Sequence, residues 1–248
     1  MTAPRNLAAD AGPAVVLADE TCIGVLSQVI ASAFADLAVS RWLIPDPAAR
    51  HEIFPGYFRL YVEHALADGL VCTTPARDAV ALWLPASQEP APPPEGYDQR
   101  LAAVTGPWIG RFRTFDQELD RRHPTGTAHH HLALLAVRPD RQGHALGTAL
   151  LRAHHAALDR GGIPAYLEAS DLRTRRLYRA HGYAACGGPL VLPGAVMHPM
   201  WRQPATPGNT EKERTPADPG PSAHLAFALD RDAAPASAGQ RPAPGRAR

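Results

Sequence analysis

The chain has 248 residues, 45% of them hydrophobic, enough for one good core or two small ones, so one decorated domain is the first expectation. Twenty-five basic residues against twenty-four acidic ones leave a formal charge of +1, which offers no electrostatic footprint for a nucleic acid or an anionic membrane. Cys22, Cys72 and Cys186 are odd in number, widely spaced and without a C-x-x-C pair, which fits a reducing compartment rather than a disulfide framework.

Residues 1–12 read as a loose lead-in without the apolar stretch of a signal peptide, and no window approaches about eighteen uninterrupted apolar residues; a soluble cytoplasmic protein is expected. Pro13 to Leu17 (PAVVL) is a short strand candidate. Asp19 then offers a cap to an amphipathic helix through Ile23, Leu26, Ile30 and Phe34. Asp36 to Asp46 reads as a loop carrying Trp42, and Ala48 to Ala67 as a second helix whose first turn Pro55 weakens. Leu70 to Thr74 and Ala79 to Leu84 (AVALWL) flank a turn-like cluster and predict a hairpin. A Pro-rich insertion spans about 85–128, with a helical stretch from Leu101 to Arg122 interrupted at Gly106 and Pro107. Strand and helix then alternate: strand His131 to Val137, helix Gly143 to Arg160, strand Ala165 to Ala169, helix Thr174 to His181. Two closing strands follow, Tyr183 to Val191 and Ala195 to Arg202. Residues 13–203 are thus expected as one domain, and 204–248, rich in Pro, Ala and charge, as a disordered tail.

The stretch from Leu134 to Leu151, LLAVRPDRQGHALGTALL, is a strand, a basic glycine-containing turn and a helix start. First-turn N–H groups of a helix have no intrahelical partners and the helix dipole adds partial positive charge, so such a turn suits phosphate. Gly143 and Gly147 allow close approach, and Arg141, Gln142 and Thr148 add donors. Neither the Walker spacing nor G-x-G-x-x-G is present, and the two glycines alone fit an ordinary βα connection equally well.

The whole block, VRPDRQGHALGTALL, resembles the acetyl-coenzyme A motif of the GNAT N-acetyltransferase superfamily. YLEAS, TRRLYRAHGY and PMWR downstream look like the family's fifth strand, short helix and last strand. AVALWL, the long insertion, the P-D-x-Q-G turn and L-E-x-S are similar to puromycin N-acetyltransferase-like bacterial members. The resemblance implies an α/β (α+β) GNAT fold: a mixed, mostly antiparallel sheet of six to seven strands, flanked by helices, with strands four and five splayed. It implies acetyl-CoA as cosubstrate, held by the backbone of Leu135, Ala136 and Val137 and by Arg141, Gln142, Gly143, His144, Ala145, Leu146, Gly147, Thr148 and Thr174. Two positions depart from the pattern. Ala145 replaces the middle glycine, where a methyl is tolerable at negative φ, and Thr174 replaces an asparagine that contacts the coenzyme in many members.

Direct attack of a neutral amine on the thioester needs a base, donors for the developing oxyanion and an acid for the thiolate. Tyr178 matches the family tyrosine near the coenzyme sulfur and is the expected acid; Glu168, at the end of strand five, is the expected base, directly or through water. The run His129–His130–His131 does not converge on one ion, because adjacent strand residues face opposite sides, and no metal is expected. Cys186 lacks a His–acid partner and is read as structural. Asp36, Trp42 and Trp108 are the expected acceptor contacts, with Asp46, Tyr57, Tyr61, Phe112, Phe115 and Glu118 in the same variable regions. Aromatics with a few carboxylates suit a small apolar primary amine, such as an aminonucleoside, an amino-acid conjugate or an antibiotic-like molecule. Acetylation of a protein lysine or N-terminus, and a non-catalytic acetyl-CoA-binding regulator, are the competing readings. A monomer or homodimer with no nucleic-acid or membrane partner is expected.

Overall fold

In the computed structural model, which describes residues 12–89 and 92–205, helix formation begins at the expected cap. Asp19 accepts from the Thr21 N–H at 3.0 Å, opens a 3-10 turn at Glu20–Cys22, and leads into α1 (Ile23–Phe34). The short helix α2 (Ala38–Leu43) and the long helix α3 (Pro47–Asp68) follow. The strands β1 (Val16–Leu17), β2 (Leu70–Thr73) and β3 (Ala79–Ala86) pair antiparallel in sequence. In the insertion, α4 (Tyr97–Thr105), a 3-10 turn at Gly106–Trp108 and α5 (Ile109–Asp120) precede β4 (His129–Val137). The rest alternates: α6 (Leu146–Gly161), β5 (Ala165–Ala169), α7 (Leu172–Ala180), then β6 (Ala184–Ala185), β7 (Leu190–Leu192) and β8 (Ala195–Arg202).

The eight strands form an open sheet in the order β1-β2-β3-β4-β5-β8-β6, with β7 paired to β8. Helices cover both faces, which is why AVALWL reads as an unbroken apolar run. Val80 and Leu82 join the core under α1 and α3, while Ala79, Ala81 and Trp83 join the core under α6. Among the described strands only β4 and β5 run parallel, joined by α6 as crossover.

Several expectations are corrected. The segment around Trp42 is helical, not a loop: Val39 and Leu43 are buried as α2 packs on β8 and α5. Six residues are too few for periodicity to show, and so short a helix is stabilised by its tertiary contacts. The helix α3 continues through Pro55, which removes one backbone donor, because Phe54, Tyr57 and Phe58 around it are buried. The final run breaks into β6 and β7, raising the strand number from six or seven to eight. The helix α6 starts at Leu146, three residues after the expected Gly143, because Ala145 takes a left-handed conformation. The lead-in before Gly12 and the tail from residue 206 lie outside the described residues. Among the described residues no helix is long and apolar enough to cross a membrane.

Candidate active site

The site is made by a departure of two strands. The parallel pairing of β4 with β5 covers only His130↔Ala165 and His131↔Tyr166. Opposite β3 the register slips between Leu82 and Trp83, so that Ala133 is an extra residue on β4. Beyond this bulge, Leu134 to Val137 stay paired with β3 but have no β5 partner. Their exposed backbone edge forms one wall of a cavity of about 700 Å³ that also reaches Arg141–Gly143, Ala145–Thr148, Glu168, Thr174 and Tyr178.

The turn at one end of the cavity leaves backbone donors without side-chain partners. Gly143 (φ +83°) and Ala145 (φ +58°) are both left-handed, and α6 begins without a side-chain cap at Ala145, so its first-turn N–H groups are available to a ligand. The negative φ at which a methyl is easily tolerated is not what Ala145 takes: alanine holds the backbone course that glycine would take, at a steric cost of about 1–2 kcal/mol. Arg141 is oriented by Asp78 on the β2–β3 turn (Nε to Oδ2, 3.0 Å), and Asp78 also accepts from the Thr74 hydroxyl at 2.6 Å. Burial alone would raise the Asp78 carboxyl, but Thr74 and Arg141 outweigh it and hold it below the usual carboxylate range. His144 does not line the cavity; its Nδ1 donates to the carbonyls of Arg141 and Gln142, each 3.1 Å away, and braces the turn. Thr174 lines the cavity, but its hydroxyl is engaged in a capping box with Asp171 (Thr174 N–H to Asp171 Oδ1, 2.7 Å). Arg173, which sequence reasoning passed over, adds a cation to the same wall.

In the middle of the cavity stand Glu168 and Tyr178. The Glu168 side chain is only 6% exposed, and its Oε2 accepts from His131 Nε2 at 3.0 Å while Oε1 is buried without a partner. Burial pushes its carboxyl up, but the neighbouring His131 imidazole and its hydrogen bond, with Tyr166 and His123 nearby, outweigh this and leave it below the ordinary value. Tyr178 is buried, and that burial, followed by the charges of Asp171 and Glu168, drives its phenol well above the usual value, so it keeps its proton.

The three consecutive histidines separate as strand geometry requires. His129 and His131 pack with Tyr166 and His123 on the side of Glu168, while His130 turns to His154 of α6 (Nδ1 to Nε2, 3.0 Å). His123, His131 and Glu168 offer ligand atoms that all lie within 4.8 Å of one another, with His131 Nε2 and Glu168 Oε2 at hydrogen-bond distance. His123 Nε2 is moreover 3.1 Å from His129 Nε2 and already engaged there.

The far end of the cavity is aromatic. Phe34 of α1, Tyr57, Phe58 and Tyr61 of α3, and Phe115 of α5 line it, with the Tyr57 and Tyr61 hydroxyls 3.0 Å apart. Behind them the Tyr97 hydroxyl donates to Asp116 at 3.0 Å, and burial raises the Asp116 carboxyl to about 6. Of the three expected acceptor contacts, Asp36 lines this cavity at its rim. Trp42 and Trp108 do not: Trp42 borders a separate shallow depression, and Trp108 is stacked by the Arg111 guanidinium at 5.6 Å.

Residues 109–185, from the start of α5 to the end of β6, match the family model described as Acetyltransferase (GNAT) domain. The fold as a whole is similar to a structure titled histone acetyltransferase HPA2 and related acetyltransferase from Corynebacterium glutamicum (24% identity, 79% of this chain, 98% of that one, TM-score 0.60). It is also similar to arylalkylamine N-acetyltransferase 2 from Aedes aegypti (12% identity, 77% and 98% covered, TM-score 0.53). A putative arylalkylamine N-acetyltransferase 7 from the same mosquito gives 15% identity, 82% and 96% coverage, and a TM-score of 0.54.

Proposed function

We propose that this chain, which carries a GNAT acetyltransferase domain, transfers an acetyl group from acetyl-CoA to the primary amine of a small apolar molecule. One observation carries the reading: a single cavity joins the turn into α6, the unpaired edge of β4, the Tyr178–Glu168 pair and an aromatic pocket. Members of the family use acetyl-CoA, and the residues present fit it. The uncapped α6 turn with Arg141 and Arg173 suits a pyrophosphate, and the edge from Leu134 to Val137 suits a pantetheine amide chain.

Within that frame the protein supplies three things to a direct transfer. Backbone N–H groups of the β4 edge stabilise negative charge on the acyl oxygen. Tyr178, kept protonated by its burial, donates to the departing sulfur. Glu168 supplies the negative charge against which the ammonium of the acceptor loses its proton. The aromatic end, with Phe34, Tyr57, Phe58, Tyr61 and Phe115, favours a flat apolar body over a long polar chain.

The test has two stages. Acetyl-CoA should raise the melting temperature of the protein, and thiol should then be released with arylalkylamines or aminonucleosides and not with lysine-bearing peptides. Release with peptides alone would replace the acceptor class, and coenzyme binding without release on any amine would leave a regulator instead of an enzyme.

A further inference from the structure

Glu168 is poorly placed to meet a substrate itself. Its side chain is 6% exposed, one oxygen is held by His131 Nε2 at 3.0 Å, and the other is buried. His131, 18% exposed, lines the same cavity, and its Nδ1 has no hydrogen-bond partner among the described residues. A carboxylate only accepts hydrogen bonds, so contact with Glu168 fixes the neutral imidazole as the Nε2–H tautomer and leaves the Nδ1 lone pair on the accessible side.

We propose that His131 Nδ1 is the atom that takes the amine's proton, and that Glu168 acts through it as a positioning residue. The inference rests on the acetyl-transfer reading above. It rests on geometry first: the bulge at Ala133 ends the regular register of β4 just beyond His131. The parallel pairing His131↔Tyr166 sets Glu168, two residues on, on the same face.

The surrounding groups support the assignment. His123 faces His131 edge-on with ring centroids 5.0 Å apart, and burial, with the neighbouring histidines, drives His123 down to about 4. His129, against His123, is also lowered by burial. From β5, Tyr166 lies 5.4 Å from the His131 ring and is raised far above its usual range by burial and by Glu168. Cys186 and Arg122 act on this group from farther out, and burial raises the Cys186 thiol. Among the described residues, His131 is thus the one imidazole on this face with a carboxylate partner within hydrogen-bond distance.

The step balances. His131 Nδ1 takes one proton from the ammonium, and the freed nitrogen lone pair forms the C–N bond as the C–S bond breaks. Tyr178 protonates the sulfur and is restored by the second nitrogen proton. The proton on His131 leaves to solvent, so one proton is released per acetylation.

The test is made on the full-length protein with acetyl-CoA and the best amine from the panel. Long-range proton–nitrogen NMR of the free wild-type protein should show His131 as the Nε2–H tautomer, and E168Q should lose that preference. H131N should lower kcat/KM by about 10²–10⁴-fold and remove the acid limb of its pH profile. H131N/E168Q should be no slower than H131N alone, because Glu168 works through the imidazole. The Nδ1–H tautomer in the wild type, or H131N retaining the acid limb while E168Q loses it, would overturn the assignment to His131 and leave acetyl transfer standing. Wild-type protein that acetylates no amine would overturn the underlying reading instead. The NMR measurement decides even if H131N does not fold.

Discussion

Three consecutive histidines on β4 enter two different environments, and the contrast separates what works from what holds. On one face His131 meets the Glu168 carboxylate at the edge of the cavity. On the other, His130 meets His154, which stacks on the wholly buried Trp83 at 4.4 Å, and His155 beside it bonds the Tyr183 hydroxyl at 3.0 Å. Among the described residues no carboxylate hydrogen-bonds these rings. Burial, with neighbouring cationic groups, pushes His154 and His155 down to about 3. Identical residue types in one strand therefore serve opposite ends: an imidazole is chemically useful where a carboxylate and solvent reach it, and is a polar packing element where neither does.

This contrast can be broken by changes on either face. The largest effect belongs to the cavity: Tyr178→Phe should cut turnover by about 10²–10⁴-fold while leaving coenzyme affinity and stability nearly unchanged, read by thiol release and by thermal shift. A stability loss of the same order as the activity loss would mean that Tyr178 belongs to the packing and not to the chemistry.

The sealed face should answer to pH. The folded values of His154 and His155, about 3, lie below the unfolded value near ~6.5, so the unfolded chain binds protons first as the solution is acidified. Their contribution is fully present above about pH 6.5 and is lost as the pH falls toward about 3. Denaturant midpoints should fall across that window, and His154→Gln should flatten the slope by about one proton while sparing activity at neutral pH. An unchanged slope would mean that these rings are charged in the fold.

Smaller effects are expected at the coenzyme turn. Arg141→Gln removes a charged donor that Asp78 holds in place and should weaken coenzyme binding about tenfold, measured by calorimetry. Ala145→Gly should raise stability by about 1 kcal/mol, because the residue sits at φ +58°, and should not weaken coenzyme binding. A destabilised glycine variant would show that the alanine methyl makes contacts worth more than the strain.

Much of this was legible beforehand where the information is local. Asp19 caps the first helix because a carboxylate two residues before a free N–H has few other partners. The strand Ala165–Ala169 has the expected ends, since Pro164 and Ser170 bound a short apolar run. The turn from Arg141 to Thr148 was legible as a glycine-containing link between a strand and a helix, and it lies between β4 and α6. What escaped is non-local or balanced against sterics. The helix at Trp42 depends on β8 and α5 for its burial, and neither the Trp42 nor the Trp108 ring lines the cavity. The sign of φ at Ala145 was left open by the sequence, since alanine prefers negative φ while the matching glycine allows either; the fold takes φ +58°.

The sequence by itself determined most of the order of strands and helices, the glycine-containing turn into α6 and the separation of adjacent histidines to opposite faces, because helix periodicity, strand alternation and turn chemistry act over a few residues. The tertiary structure alone decided that His131 would meet Glu168, 37 residues on, and that β4 and β5 would part beyond that contact. Both depend on how two strands are registered across a crossover helix, and the register is set by the burial of two cores at once, which no short stretch of the chain encodes.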